Sequence, residues 1–420
     1  RTFLDAQAAV GDEGELLAQL RRLRHRFVVR VALREILQLA GIDETSAELA
    51  YLAEAATDAA LQWSLRQTAL EQGALRDPEG KAIPLVALGM GKLGGEELNF
   101  GSDIDLCFFY ESDEGEVEGG KLSPHEWFAK VVKRCVRALA EVTQEGFCFR
   151  VDLRLRPEGS RGPLVNSLAS TERYYEAWGR TWERAALLRA RPVAGDLAFG
   201  DRLLEALRPF IYRRAVDPTI AQELASLVRS SRSDRLDERA SDIKLGRGGI
   251  REVEFFVQSL QLIWGGLYPN LQVRPTLRAL SRLRMQGLVS EGEAVTLESA
   301  WALLRSVEHR IHMRAGYQTH TLPPLPQERS ELAASLGFYD GGAFEARLQS
   351  TREEVAALFR SLDPVDETSQ DPFVQLAERL RNLDHPKDDE EWLRLLGIQD
   401  AEAAHAHLTR LRRAAIAPFG

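Results

Sequence analysis

The sequence predicts an α+β protein in which a small sheet is carried among helices. Three observations lead there. Apolar runs of strand length at 83–88 and 106–110 flank a glycine-rich turn. Residues 149–156 alternate apolar and charged side chains with the period of a strand. Most of the remainder repeats its apolar residues at helical spacing.

A chain of 420 residues is long for one domain. The expected organisation is an N-terminal helical region at 1–76, a catalytic domain at 77–200, a helical domain at 201–362, and a linker with the start of a further helical region at 363–420. Hydrophobic content of 44% and charged content of 28% are those of a soluble globular protein. No apolar run approaches the roughly 18 residues of a membrane span, and the first residues lead into acidic, helical sequence rather than a signal peptide. The chain lacks an initiating Met and stops at Phe419-Gly420, so a fragment of a longer polypeptide is expected. A net charge of −9 argues against broad nucleic-acid binding. Three cysteines without a Cys-x-x-Cys pair imply neither a disulfide framework nor a zinc site, and a reducing cytoplasm fits best.

Residues 15–75 are expected to be helical throughout, since Leu17, Leu20, Leu23 and Phe27 recur at helical spacing, as do Leu49, Leu52, Ala53 and Ala56. Arg21, Arg22, Arg24, His25, Arg26 and Arg30 make the first part basic, as a solvated face or a docking surface. In the stretch from Gly89 to Leu106, a glycine turn and short helix lead to a strand beginning Ser102-Asp103-Ile104-Asp105. Alternate strand residues share a face, so Asp103 and Asp105 point together. Two such carboxylates repel unless a cation lies between them, and hard oxygen ligands suit magnesium, whose shell substrate phosphates can complete. The upstream glycines let backbone N–H groups come close to a phosphate.

An exposed loop is expected at 112–120 and an amphipathic helix at 124–143, with Phe128, Val131, Val132, Cys135, Leu139 and Val142 on its apolar stripe. The strand at 149–156 directs Val151, Leu153 and Leu155 inward and sets Asp152 among Arg150, Arg154 and Arg156, which makes Asp152 a third candidate metal carboxylate. The loop at 157–165 is expected to bring Arg161 toward the same face, where arginine's forked donors match phosphate oxygens. The aromatics of the helix at 174–184 are expected mostly in the core, with a purine wall as the alternative; Arg180, Arg184, Arg189 and Arg191 are weaker phosphate candidates. Several helices follow. Within them Lys244-Leu245-Gly246-Arg247-Gly248-Gly249 opens a helix with Ile250, Val253, Phe256 and Val257 as its buried stripe. A helix start of this kind attracts anions, and Lys244, Arg247 and Arg251 strengthen the case. Cys107 and Cys148 read as core residues. His309 and His312, spaced i, i+3, and His405 and His407 read as core or surface residues, because no third metal ligand is evident.

Taken together, Gly89-Met90-Gly91-Lys92-Leu93-Gly94-Gly95, Ser102-Asp103-Ile104-Asp105-Leu106, Arg150-Val151-Asp152-Leu153-Arg154-Leu155-Arg156-Pro157 and the run from Lys244 to Phe255 resemble the bacterial glutamine synthetase adenylyltransferase/adenylyl-removing enzymes, from about 20 to about 325. The resemblance implies a nucleotidyltransferase fold of the polymerase-beta-like kind, a small mixed sheet flanked by mostly helical domains. That family pairs an adenylyl-removing half with an adenylylating half. Ile243-Lys244-Leu245-Gly246, Arg251-Glu252-Val253-Glu254-Phe255 and Gly179-Arg180-Thr181-Trp182-Glu183-Arg184 resemble the removing half, with Val253 where Ile is usual. The implied reaction is Mg²⁺-dependent phosphorolysis of adenylyl-tyrosine on glutamine synthetase, in which inorganic phosphate attacks and ADP leaves. Asp103, Asp105 and Asp152 would then be catalytic metal ligands. Gly94, Gly95 and Ser102 would hold phosphate oxygens, Arg154 or Arg156 would offset the charge of the incoming phosphate, and Lys244, Arg247 and Arg251 would complete the nucleotide site. The implied partners are adenylylated glutamine synthetase and the PII signalling protein, its uridylylated form activating. The rivals are the adenylylating half, a non-catalytic docking module for PII or glutamine synthetase, and the PII uridylyltransferase, whose glycine turn the sequence matches less well.

Overall fold

A computed structural model describes residues 12–214 and 241–362, with a few isolated positions beyond them. The linker expected after residue 362 and most of the terminal helix, His407 included, lie outside the described residues. The chain divides into two compact units, Arg1–Leu362 and Asp363–Gly420. The three regions expected up to residue 362 therefore pack as one unit.

The first helix, α1 (Glu13–Ile36), starts at Asp12, whose carboxylate accepts from the Glu15 N–H at 3.0 Å. α2 (Ile42–Gln72) follows, and the glycine turn forms the single-turn α3 (Gly91–Gly94). The stretch 15–75, expected to be helical throughout, is interrupted between α1 and α2, because Gln38 turns into the left-handed region at φ 56° and Gly41 caps the second. Of the basic cluster on α1, Arg21 is buried and donates to the carbonyls of Leu17, Ala138 and Gly146, stitching α1 to the turn after α4 (Pro124–Ala140). Arg22 stays at the surface, paired with Glu145.

A two-stranded ribbon joins β1 (Leu75–Arg76) to β4 (Glu116–Val117). The main sheet is mixed. β2 (Leu85–Gly89) runs antiparallel to β3 (Ile104–Tyr110), in register from Leu85↔Tyr110 to Gly89↔Leu106. On its other side β2 pairs antiparallel with β7 (Arg191–Gly195). β3 in turn takes two short parallel partners, β5 (Val151–Asp152) and β6 (Val165–Ser167). The period-2 alternation sorts two cores. Leu85, Ala87, Ile104, Leu106, Phe108 and Tyr110 pack toward α1, α2 and α4. Val86, Leu88, Cys107 and Phe109 pack on the opposite face, against α5 (Leu168–Trp178), α6 (Thr181–Leu187) and α7 (Leu197–Ile211). Asp103 and Asp105 have the parity of this second face.

A third core lies within α8 (Ile250–Trp264), α9 (Thr276–Met285), α10 (Glu291–Ala315), α11 (Pro326–Ser335) and α12 (Gly341–Ser361). The expected stripe of α8 is buried, with Ile250, Val253, Phe256 and Val257 all inside. The fold is α+β. Among the described residues no helix is long and apolar enough to cross a membrane.

Candidate active site

β3 and β5 place Asp105 directly opposite Asp152 in parallel register. Asp103 lies just before β3. All three line one cavity of about 680 Å³, together with Gly91, Ser102 and Arg154 on the sheet side and Trp182, Lys244, Arg251 and Phe255 on the helical side. The glycine turn contributes shape at one point. Gly91 stands at φ +52°, and a Cβ there would lie 2.9 Å from the Asp105 carboxylate.

Charge is distributed unevenly over the three carboxylates. Arg150 ion-pairs with Asp103 and also donates to the Gly101 carbonyl. Arg154 folds back on Asp152 through its guanidinium and its backbone N–H, the latter at 2.8 Å. Burial works against the Asp152 charge, but these hydrogen bonds hold its carboxyl below the usual range. Asp105 has no ion pair among the described contacts. Burial, then the neighbouring Asp152 charge, push its carboxyl up to about 6. Ser102 adds a hydroxyl oxygen that is buried without a hydrogen-bond partner. The donor set is entirely oxygen.

Several expected residues stand elsewhere. The strand expected over 149–156 is two residues long, and the chain then turns, because Arg156 is buried and donates to the carbonyls of Leu153, Ser160, Gly162 and Pro163. Arg156 therefore clamps its own loop and does not line the cavity, and neither does Arg161. Gly94 and Gly95 are also outside the cavity lining: a Cβ on Gly94 would meet the Arg189 carbonyl at 1.9 Å, and one on Gly95 the Arg189 guanidinium at 2.6 Å. Their smallness seats Arg189, which pairs with Glu97 and Glu254 and donates to Thr276. Arg247 is exposed and off the cavity. In the turn before α8 the first amides are bonded internally, Ile250 N–H to Ile243 and Arg251 N–H to Lys244. This turn therefore presents side chains, Lys244 and Arg251, rather than an open helix start. Of the weaker arginine candidates only Arg189 lines the cavity; Arg191 pairs with Glu54, and Arg184 is buried on the Ile211 carbonyl.

Sequence reasoning did not single out Lys92, Glu254 or Gln318, which share the cavity. Lys92 had a signal, its place inside the glycine turn. Its ammonium lies 2.7 Å from Glu308 on α10, and burial lowers its pKa to about 7 against the pull of that carboxylate. The aspartate loop is also anchored from a distance. Asn99 lies 3.1 Å from His309 on α10, and the other ring nitrogen of His309 is 2.8 Å from Glu35 on α1.

Residues 2–206 match the family model described as glutamate-ammonia ligase adenylyltransferase, and residues 222–362 match one described as PII-uridylyltransferase. The chain is 43% identical over 362 residues to the bifunctional glutamine synthetase adenylyltransferase/adenylyl-removing enzyme of Thioalkalivibrio sulfidiphilus, covering 84% of this chain and 37% of that protein. It is 40% identical over 412 residues to the protein of the same name from Pseudomonas aeruginosa, covering 96% of this chain and 42% of that protein. The chain belongs to this adenylyltransferase family. The Pseudomonas putida member is 41% identical over 391 residues, covering 92% of the chain and 40% of its own length. The chain thus spans about two fifths of the length of these curated relatives. Within the family match lie all three cavity aspartates and the glycine turn; Lys244 and Arg251 fall in the second matched segment.

Proposed function

We propose that this chain is the adenylyl-removing part of the family's bifunctional enzyme, catalysing phosphorolysis of adenylyl-tyrosine on glutamine synthetase in the cytoplasm, with release of ADP. The observation that carries the reading is the register of Asp105 against Asp152, with Asp103 beside them and Lys244 and Arg251 in the same cavity. An all-oxygen set whose central carboxyl is pushed up by burial and then by the neighbouring Asp152 charge fits a hard dication, so Asp103, Asp105 and Asp152 are the residues that would hold Mg²⁺. Magnesium bound there supplies Lewis-acid stabilisation of phosphoryl oxygens and of a leaving phenolate.

The chain's own side chains account for the other requirements. Lys244 and Arg251 place positive charge where the oxygens of inorganic phosphate would bind, and Arg154 is at the exposed rim to receive further charge. Ser102 offers a hydroxyl donor. Trp182 and Phe255 give flat apolar walls of the kind that take an adenine ring. The match of residues 222–362 to a PII-uridylyltransferase model supports PII as a regulatory partner; activation by its uridylylated form is part of the proposal.

The test incubates the chain with adenylylated glutamine synthetase, Mg²⁺ and inorganic phosphate. Phosphate-dependent ADP is expected, and it should fall by at least about 1000-fold in Asp103→Asn/Asp105→Asn. Absence of ADP, with AMP transfer from ATP to unmodified glutamine synthetase instead, would assign the adenylylating direction. Binding of glutamine synthetase or PII with no turnover in either direction would assign a docking module.

A further inference from the structure

Glu308 and His312 stand i, i+4 on α10 and so share one face of that helix. His320 reaches the same point from the loop that follows. One donor atom from each lies within 4.8 Å of the others. Glu308 is fully buried and His312 is 2% exposed. Both ring nitrogens of His312 are buried without a hydrogen-bond partner, a condition that buried polar groups rarely sustain. The third ligand that the sequence did not reveal is therefore supplied by the fold. It joins His312 rather than His309, whose ring is engaged by Glu35 and Asn99.

We propose that Glu308, His312 and His320 bind a divalent transition-metal ion of the zinc class, at a site separate from the all-oxygen aspartate cluster. Two imidazoles and one carboxylate are a donor set that zinc accepts with a fourth position open, whereas magnesium favours oxygen ligands. Zinc–nitrogen bonds of about 2.0–2.1 Å put tetrahedral donors roughly 3.4 Å apart, so donors within 4.8 Å of one another need to close by about 1.4 Å at most. The main opposition is electrostatic. Lys92 lies 2.7 Å from Glu308 Oε1, on the oxygen that His320 also approaches at 3.0 Å, and Arg305 holds Oε2 at 2.7 Å. An incoming ion competes with Lys92 for Oε1. Because Lys92 also lines the catalytic cavity, occupancy of this second site is coupled to the charge presented there.

The experiment strips the 420-residue chain with chelator and titrates it with Co²⁺, read by its visible ligand-field spectrum, then displaces Co²⁺ with Zn²⁺. With excess Mg²⁺ holding the aspartate cluster, one bound Co²⁺ that Mg²⁺ does not displace is expected, and it should persist in Asp103→Asn/Asp105→Asn/Asp152→Asn. His312→Ala and His320→Ala should each weaken binding by at least about 100-fold. Lys92→Met should tighten it by about tenfold through loss of the competing charge, a direction that misfolding cannot imitate. No Co²⁺ uptake by the wild-type chain, uptake unchanged in His312→Ala, or uptake abolished by the aspartate substitutions alone would overturn the assignment.

Discussion

At Asp105, burial and charge conflict directly. Its carboxyl titrates near 6, whereas an unfolded aspartate titrates near about 3.9. The folded state therefore holds the proton more tightly than the unfolded chain. The resulting stability is present in full below the unfolded value and is lost as pH rises through 6. In the presence of chelator, Asp105→Asn should stabilise the fold at pH 7.5 by up to about 3 kcal/mol and have no such effect at pH 4. Calorimetry at both pH values checks this; a variant no more stable than wild type at pH 7.5 would refute the account of the shift. At Arg156 the buried charge is met by the carbonyls of its own loop. Arg156→Ala leaves the 160–163 carbonyls without donors and should destabilise by about 2–4 kcal/mol in urea melts. The aspartates were legible because two-residue periodicity and chemistry agree there. The fate of Arg156 was not, because alternation alone cannot tell a strand face from a side chain that turns back on its own loop.

Among the elements, the glycine turn and the break between α1 and α2 set apart steric need from backbone preference. Gly94 sits where any Cβ would meet two carbonyl oxygens, of Arg189 and of Gly89, at 1.9 and 2.4 Å. Gly80 is in the left-handed region at φ +79° but has open space around it. Gly80→Ala should accordingly cost about 1 kcal/mol. Gly94→Ala should cost at least about 3 kcal/mol, because backbone rather than a side-chain tip stands in the way. Equal melting temperatures for the two variants would show that the Arg189 seat is softer than its geometry implies. Helical spacing located α1, α2, α4 and α8 well. It passed over the break at Gln38, since one residue with positive φ leaves no trace in apolar periodicity.

For the molecule as a whole, the sheet and α10 are joined by charges far apart in sequence. Lys92 meets Glu308, and Arg305 donates to the Glu97 carbonyl at 2.6 Å. Neither contact could be read from local pattern, because each needs partners about two hundred residues away. Lys92→Met and Glu308→Gln should each cost about 3 kcal/mol or more by stranding a buried charge, and the double variant less than their sum by about 1–3 kcal/mol. Denaturant titration of all four proteins measures the coupling; strict additivity would show that the two groups do not act as a pair. The line from Glu35 through His309 to Asn99 bears on where this chain can be shortened. A truncation beginning at residue 77, the boundary that composition suggests, removes Glu35 and leaves the buried His309 facing a void behind the aspartate loop. A piece that keeps this support has to include Glu35 on α1, so the two N-terminal helices belong with the unit that carries the aspartate loop and not to a detachable arm.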